Sequence, residues 1–333
     1  MARSAYADAG VDVAAGELAV GLFRAKLAAT GHLAGEFGAL IEIPEGMRRP
    51  VIVTSTDGVG TKTDICRRLG RYDTLGQDLV AMCADDVVCH GARPAYFMDY
   101  IALGRLDPQR VAQLVGGIGD ACEKIGCALV GGETAEHPGV MQPDDFDLAG
   151  FCIGFAERDE LIDARQSRAG DVIVGMASAG IHSNGFSLVR KLVAAGDLAL
   201  TDELLTPTRL YTPAVLALIA ELRGRGLRVG GLTHITGGGL VRNLPRAVGD
   251  DLATVVKPAS WPVPEIFERV AGAAHMTDKE MRATFNSGIG FGAVVAPAAA
   301  TVAIDTIRAH GIDAWVIGRV EPVTAAGKRY LEA

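Results

Sequence analysis

Ala81-Met-Cys-Ala-Asp-Asp-Val-Val-Cys-His-Gly-Ala-Arg-Pro94 is the stretch on which the reading of this chain turns. It is an apolar run of helical character, closed by a Gly-Ala-Arg-Pro turn, with two adjacent carboxylates, Asp85 and Asp86, inside it. Burying one ionised carboxylate without a partner is costly, and two side by side repel each other. The pair therefore needs a cation, a proton or water. On one side of the predicted helix 76–91 lies Val51-Ile-Val-Thr, a short strand that feeds Ser55-Thr-Asp-Gly-Val-Gly-Thr-Lys62. On the other side, residues 96–103 are apolar and strand-like, Asp107 and Pro108 open a helix to about Ile125, and Ala128-Leu-Val-Gly is a strand leading into a turn at Glu133. A further strand covers 148–156. Strands alternating with helices indicate α/β architecture with mixed sheets.

Upstream, residues 14–30 carry apolar positions at helical spacing, and Gly31 is a stop signal. Downstream, residues 157–170 are charged and lack an apolar period, which places a domain boundary between 1–166 and 167–333. The second half predicts a strand from Asp171, helices at 186–195 and 213–224, and a strand or loop at 232–240 that feeds a helix start. Helices at 265–273, 277–284 and 299–310 and strands at 288–295 and 315–320 complete it.

At 333 residues, 49% of them apolar, the chain suits two domains with sizeable cores. Aromatics are 5% and the formal charge is −8, so a stacking platform for nucleic acid and a generic anionic-membrane surface are both disfavoured. Six cysteines without a Cys-x-x-Cys pair read as buried reduced thiols. The first residues contain no apolar leader core, and no apolar run approaches membrane-spanning length. The expectation is a cytoplasmic protein.

Chemistry concentrates in a few segments. Asp57 precedes Gly58-Val-Gly60-Thr61-Lys62, where glycines allow close approach of backbone N–H groups to phosphate and Lys62 adds a positive charge. The spacing is not that of a Walker A loop, and Asp-Gly also forms ordinary turns. Glu133 follows Gly131-Gly132 and also fits a plain loop carboxylate. Carboxylates from separate segments beside a glycine-rich turn and a lysine point to a magnesium–phosphate site. His182-Ser183-Asn184-Gly185 lies at a strand-to-helix turn, where His182 suits proton transfer and Ser183 and Asn184 suit either phosphate binding or helix capping. Gly237-Gly238-Gly239 reads as an anion nest or a flexible connection.

Taken in order, Tyr6–Asp12, Ser55–Lys62, Asp86-x-x-x-x-Gly-Ala-x-Pro94, Leu129–Glu136, Asp147–Phe151, His182–Gly185, Leu205–Arg209, His234–Gly239 and Phe285–Gly290 resemble the phosphoribosylformylglycinamidine cyclo-ligase (AIR synthetase) family across nearly the whole chain. The resemblance implies two α/β domains per subunit, a homodimer whose N-terminal sheets join in a barrel-like core, and ATP bound near that interface. It implies closure of the imidazole ring of formylglycinamidine ribonucleotide with ATP and Mg2+. On it, Asp57, Asp85, Asp86 and Glu133 are the expected magnesium ligands. Relatives often carry Asn at the Asp85 position. Asp57, Gly58, Gly60, Thr61, Lys62, Gly131 and Gly132 are expected at ATP and its phosphates, and Asp86 and Lys62 count with His182 as catalytic candidates. Ser183, Asn184, Gly237, Gly238 and Gly239 are expected at the substrate. Selenophosphate synthetase is disfavoured because no cysteine precedes Cys66. A catalytically silent nucleotide-binding protein is the rival reading from another class.

Overall fold

The computed structural model describes Leu18, residues 38–323 and residues 327–333. The helix expected at 14–30, apart from Leu18, and the Tyr6–Asp12 segment lie outside the described residues.

The first unit is built on strand β1 (Pro50–Gly58), helix α1 (Lys62–Leu69), helix α2 (Leu75–Val88), strand β2 (Arg93–Leu103), helix α3 (Pro108–Ile125), and strands β3 (Ala128–Glu136) and β4 (Phe146–Glu157). Its sheet has the order β1-β4-β2-β3, with β2 and β3 parallel and the other pairs antiparallel. Short 3-10 turns at 158–160 and 164–166 lead onward. The second unit contains β5 (Val172–Ala177), α4 (Phe186–Ala195), α5 (Thr212–Gly224), β6 (Val229–His234), α6 (Gly239–Asn243) and β7 (Leu252–Val256). It closes with α7 (Glu265–Ala274), α8 (Asp278–Thr284), β8 (Ile289–Val295), α9 (Ala300–Ala309), β9 (Ala314–Pro322) and β10 (Tyr330–Glu332). Its sheet runs β10-β7-β9-β5-β8-β6. The mixed α/β class expected from the sequence is the one observed.

Local chemistry explains the boundaries. The Asp107 carboxylate accepts from the N–H groups of Gln109 (2.9 Å) and Arg110 (3.3 Å), Pro108 occupies the first turn of α3, and Gly126 ends it in the left-handed conformation. Thr277 and Glu280 form a reciprocal capping box on α8.

Helix α2 positions the site. Nearly all of it is buried, because its run is apolar on most sides and it sits between the β1–β4 face, α3 and the second unit. Each fully buried Leu or Val, such as Leu79 and Val87, contributes about 1.5–3 kcal/mol. Asp78 and Asp85 are seven residues apart, two helical turns, and so face the same way, toward residues 206–212 of the second unit. Asp86 is rotated by about 100° from them, the turn per residue of a 3.6-residue helix. The opposite face of the first sheet is open: Ile52 is 58% exposed and Tyr100 40%, with Tyr96, Met98, Phe151 and Ile153 half-buried beside them.

Candidate active site

Asp57 is the penultimate residue of β1, half-buried, with Oδ1 accepting the Gly58 N–H at 2.7 Å. Burial raises its carboxyl above the usual carboxylate range and the charge of Asp86 adds to this, against the Gly58 hydrogen bond and the field of His234. Beyond it, Gly60 approaches the Ser183 carbonyl, and the Thr61 hydroxyl is 3.4 Å from that of Ser187. The Asp57–Thr61 loop of one unit thus meets the 182–187 turn of the other.

Asp86 keeps about a third of its side chain exposed, and its Oδ1 accepts from His234 Nδ1 at 3.1 Å. His234, the last residue of β6, was not singled out from the sequence as a functional side chain. It is buried, stacked on Phe291 (25°, 6.2 Å), and its Nε2 has no hydrogen-bond partner among the described residues. Burial alone would lower this imidazole. The hydrogen bond to Asp86 and the charges of Asp85, Asp86 and Asp57 outweigh burial and raise it above 6.5. A strand-ending histidine before Thr-Gly-Gly-Gly was the available signal, but only the tertiary fold supplies its carboxylate.

Several expectations need correction. Lys62 does not present its charge to a ligand. Its ammonium is fully buried, 2.8 Å from Asp78 Oδ2, and donates to the Thr206 carbonyl at 2.9 Å. Asp85 does not face a cation. It is fully buried and accepts from Tyr211 N (3.1 Å) and from Thr212 N and Oγ1 (both 2.8 Å), so it anchors the start of α5. Burial raises its carboxyl to about 6 against these hydrogen bonds and the field of His234. Glu133 is not in a turn but inside β3, paired with Tyr100. Three strand spacings separate β3 from β1, about 14 Å. Asp57 shares its cross-strand row with Gly150, Asp99 and Gly132, whereas Glu133 belongs to the next row and faces the open side. Within one chain Glu133, Gly131 and Gly132 therefore do not join Asp57 and Gly58. Gly132 serves packing: a Cβ there would lie 1.6 Å from Asp99 Oδ1. Burial raises Asp99 to about 7, and its Oδ2 has no partner among the described residues.

His182 adopts φ +67° and is buried. Its Nε2 accepts the Ala179 N–H at 3.1 Å, which assigns the proton of the neutral ring to Nδ1. Burial, followed by the fields of His234, Lys62 and Arg209, pushes this imidazole well below 6.5. Nε2 is thus occupied and Nδ1–H is left to donate, so of the two expected roles, proton transfer in ring closure or holding substrate, the geometry favours the second. Gly290 is required beneath it, because a Cβ there would lie 2.5 Å from His182 Cε1 and 2.1 Å from Tyr211 Oη. Ser183 is buried, its hydroxyl 3.5 Å from that of Thr208, and Asn184 contacts the Met82 sulfur. Gly237 approaches Asn184, and Asn243 donates to the carbonyls of Thr236, Gly237 and Gly239, which fixes the shape of the glycine loop around Gly238.

Two cavities flank this centre. One, about 460 Å³, is lined by Thr54, Ser55, Asp86, His90, His234 and Arg246. The other, about 410 Å³, is lined by Gly60, Thr61, Asp64, Arg67, Asp147 and Arg190. Each has the volume of a small-molecule site. Among the described residues no three His, Cys, Asp or Glu side chains form a ready ligand cluster for a metal. Asp57 and Asp86 nevertheless supply hard oxygen donors close enough to repel one another, which fits a magnesium ion that completes its shell with water and phosphate.

The chain matches the model of the AIR synthase related protein N-terminal domain over residues 35–156 and that of the C-terminal domain over residues 168–327. It is 44% identical to the phosphoribosylformylglycinamidine cyclo-ligase of Synechococcus elongatus over 95% of this chain and 96% of that one. The chain belongs to the phosphoribosylformylglycinamidine cyclo-ligase family. Another cyclo-ligase relative, from Burkholderia vietnamiensis, is 45% identical over 95% of this chain and 92% of its own length. Among solved structures, the hydrogenase maturation protein HypE in complex with ATP is similar with a TM-score of 0.72 at 20% identity, covering 98% of this chain and 94% of that one. The thiamine-monophosphate kinase of Stenotrophomonas maltophilia is similar at 0.68 and 18%, covering 93% and 95%. These two show the fold alone. The cyclo-ligase fold is thus the frame in which Asp57, Asp86 and His234 meet.

Proposed function

We propose that this chain uses ATP to close the imidazole ring of formylglycinamidine ribonucleotide, giving 5-aminoimidazole ribonucleotide, ADP and phosphate in purine biosynthesis. The observation that carries the reading is the meeting of Asp57, the Asp86–His234 pair and the 182–187 turn between the two units of a chain with full-length cyclo-ligase relatives.

The chemistry suits the residues. An amide oxygen is a poor leaving group. Phosphorylation converts it to an iminophosphate, and the neighbouring nitrogen then attacks carbon and expels phosphate. The protein must align two reactants and offset developing charge. Asp57 and Asp86 would hold Mg2+, which when bound would neutralise phosphate oxygens. His234 donates to Asp86 and fixes the direction of its carboxylate. The Asp78–Lys62 pair and Asp85 keep the two units in register around the cleft. His182 offers an Nδ1–H donor and no base.

The reading includes a homodimer. The open apolar face around Ile52, Phe151 and Tyr100 favours a second copy, and Glu133 stands on that face, so any part it takes runs through the partner. It also includes a cytoplasmic setting, favoured by six free cysteines of which all but Cys89 are buried. No described helix is long and apolar enough to cross a membrane. Neither a nucleic-acid partner nor a membrane partner is part of the reading, given the acidic charge.

The test follows aminoimidazole ribonucleotide formation and ADP release together with Mg-ATP. One ADP per ring closed is the expected result. Folded protein that binds ATP and makes no product would overturn the proposal.

A further inference from the structure

With Lys62 committed to Asp78, the phosphoryl chemistry of the proposed function lacks its expected cation. The segment that Lys62 helps to hold contains another. Residues 206–212 are gripped from α1 and α2 at both ends. Asp78 Oδ1 accepts from Thr208 N (2.7 Å) and Thr208 Oγ1 (2.6 Å), Gln77 donates to the Thr208 carbonyl (2.9 Å), and Lys62 donates to the Thr206 carbonyl. Asp85 takes Tyr211 N, Thr212 N and Thr212 Oγ1. Arg209 lies between the two anchors. It is half-buried, its Nε is buried, and it makes no hydrogen bond or ion pair with any described residue. The carboxylates that hold its segment are already engaged, Asp78 by Thr208 and the Lys62 ammonium and Asp85 by Tyr211 and Thr212.

Arg209 lies two residues before Tyr211, whose ring is 6.1 Å from that of His182. Its charge acts on both His182 and Tyr211. His182 carries an unpartnered, buried Nδ1–H. From His182 the rings continue to Tyr211 (6.1 Å) and on to His234 (6.4 Å), which holds Asp86. A guanidinium without a partner on a clamped backbone, in the field of a neutral imidazole donor and linked through Tyr211 and His234 to Asp86, suits oxygen atoms that carry negative charge and accept fork-shaped hydrogen bonds.

We propose that Arg209 is a phosphoryl-recognising cation of this site, binding phosphate oxygens together with the Nδ1–H of His182. The inference rests on the cyclo-ligase reading for which phosphoryl group it meets: the one transferred from ATP or the 5′-phosphate of the ribonucleotide. It does not rest on that reading for the presence of an anion site.

The test compares Arg209→Gln and Arg209→Lys with the parent protein. Binding of inorganic phosphate to the whole protein is measured by titration calorimetry, and both substrates are varied in steady-state kinetics. Loss of one charge-assisted hydrogen bond predicts that Arg209→Gln weakens phosphate binding by about tenfold or more, with partial rescue in Arg209→Lys. A rise in KM for the ribonucleotide at unchanged ATP affinity assigns Arg209 to the 5′-phosphate. A fall in kcat, with KM for the ribonucleotide unchanged, assigns it to the transferring group. Phosphate affinity and both kinetic parameters of folded Arg209→Gln within about twofold of the parent would overturn the proposal, twofold being too small for one charge-assisted bond. If Arg209→Gln does not fold, Arg209→Lys decides: its single ammonium cannot reproduce a bidentate contact, so parental affinity there overturns the proposal too. A parent protein that binds phosphate through Arg209 but makes no aminoimidazole ribonucleotide would remove the cyclo-ligase reading and leave the anion site standing.

Discussion

Replacing Lys62 with Met separates a structural role from a catalytic one. The Lys62 ammonium and the Asp78 carboxylate are both fully buried and 2.8 Å apart. Removing one member of a buried pair leaves the other charge without compensation and costs about 3–5 kcal/mol. Two hydrogen bonds from Thr208 remain on Asp78, which favours the lower end of that range, while the Thr206 carbonyl loses its donor. Urea unfolding followed by circular dichroism should therefore show Lys62→Met destabilised by about 3 kcal/mol. Removing both charges, as Lys62→Met with Asp78→Leu, should recover part of the loss, because apolar replacement of a whole buried pair is often neutral. The recovery stays incomplete, since Thr208 N–H then lacks its acceptor. A Lys62→Met protein as stable as the parent but with turnover reduced by orders of magnitude would refute the assignment and restore Lys62 to the phosphate.

Three further outcomes follow from the geometry. The folded-state pKa of Asp85, about 6, lies above its ordinary value of 3.8, so its ionisation favours the unfolded chain. Relative to Asp85→Asn, the parent should have its full advantage below pH 4 and lose about 2–3 kcal/mol as pH rises from 4 to 6, with no change above; a flat difference across that window in urea melts would refute the shift. His234→Leu should weaken binding of Mn2+, read by electron paramagnetic resonance as a magnesium substitute, by about tenfold, whereas His234→Asn retains a donor and loses less; equal affinity in both variants would remove His234 from orienting Asp86. Gly290→Ala would place a methyl 2.1 Å from Tyr211 Oη and should cost about 1–3 kcal/mol of stability, together with the alignment of His182; a neutral effect in thermal unfolding would show that the ring stack yields easily.

The helix holding Asp85 and Asp86, the Asp107-Pro108 start of α3 and the α/β alternation were legible because caps and apolar periodicity act over a few residues. Strand β7 was missed: it is five residues long and buried on both faces, and therefore shows no alternation. Helix α1 was hidden by the glycine-rich turn that precedes it.

What the sequence by itself determined is the α/β class, most of the elements and the family to which their motifs point. What only the tertiary structure decided is how its charged residues divide their tasks. Asp85 and Asp86 are identical neighbours in sequence, yet one turn step of about 100° buries the first under Thr212 and presents the second to His234. Lys62 belongs to a phosphate-like motif, yet its ammonium pairs with Asp78, sixteen residues later on the next helix, a contact visible only in three dimensions. Arg209 closes the Leu205–Arg209 motif, which assigned it no role, and its availability follows only from where its neighbours' partners lie. Charge is a property of the residue, but whether that charge is already compensated depends on contacts between distant parts of the chain, and local sequence patterns do not encode them.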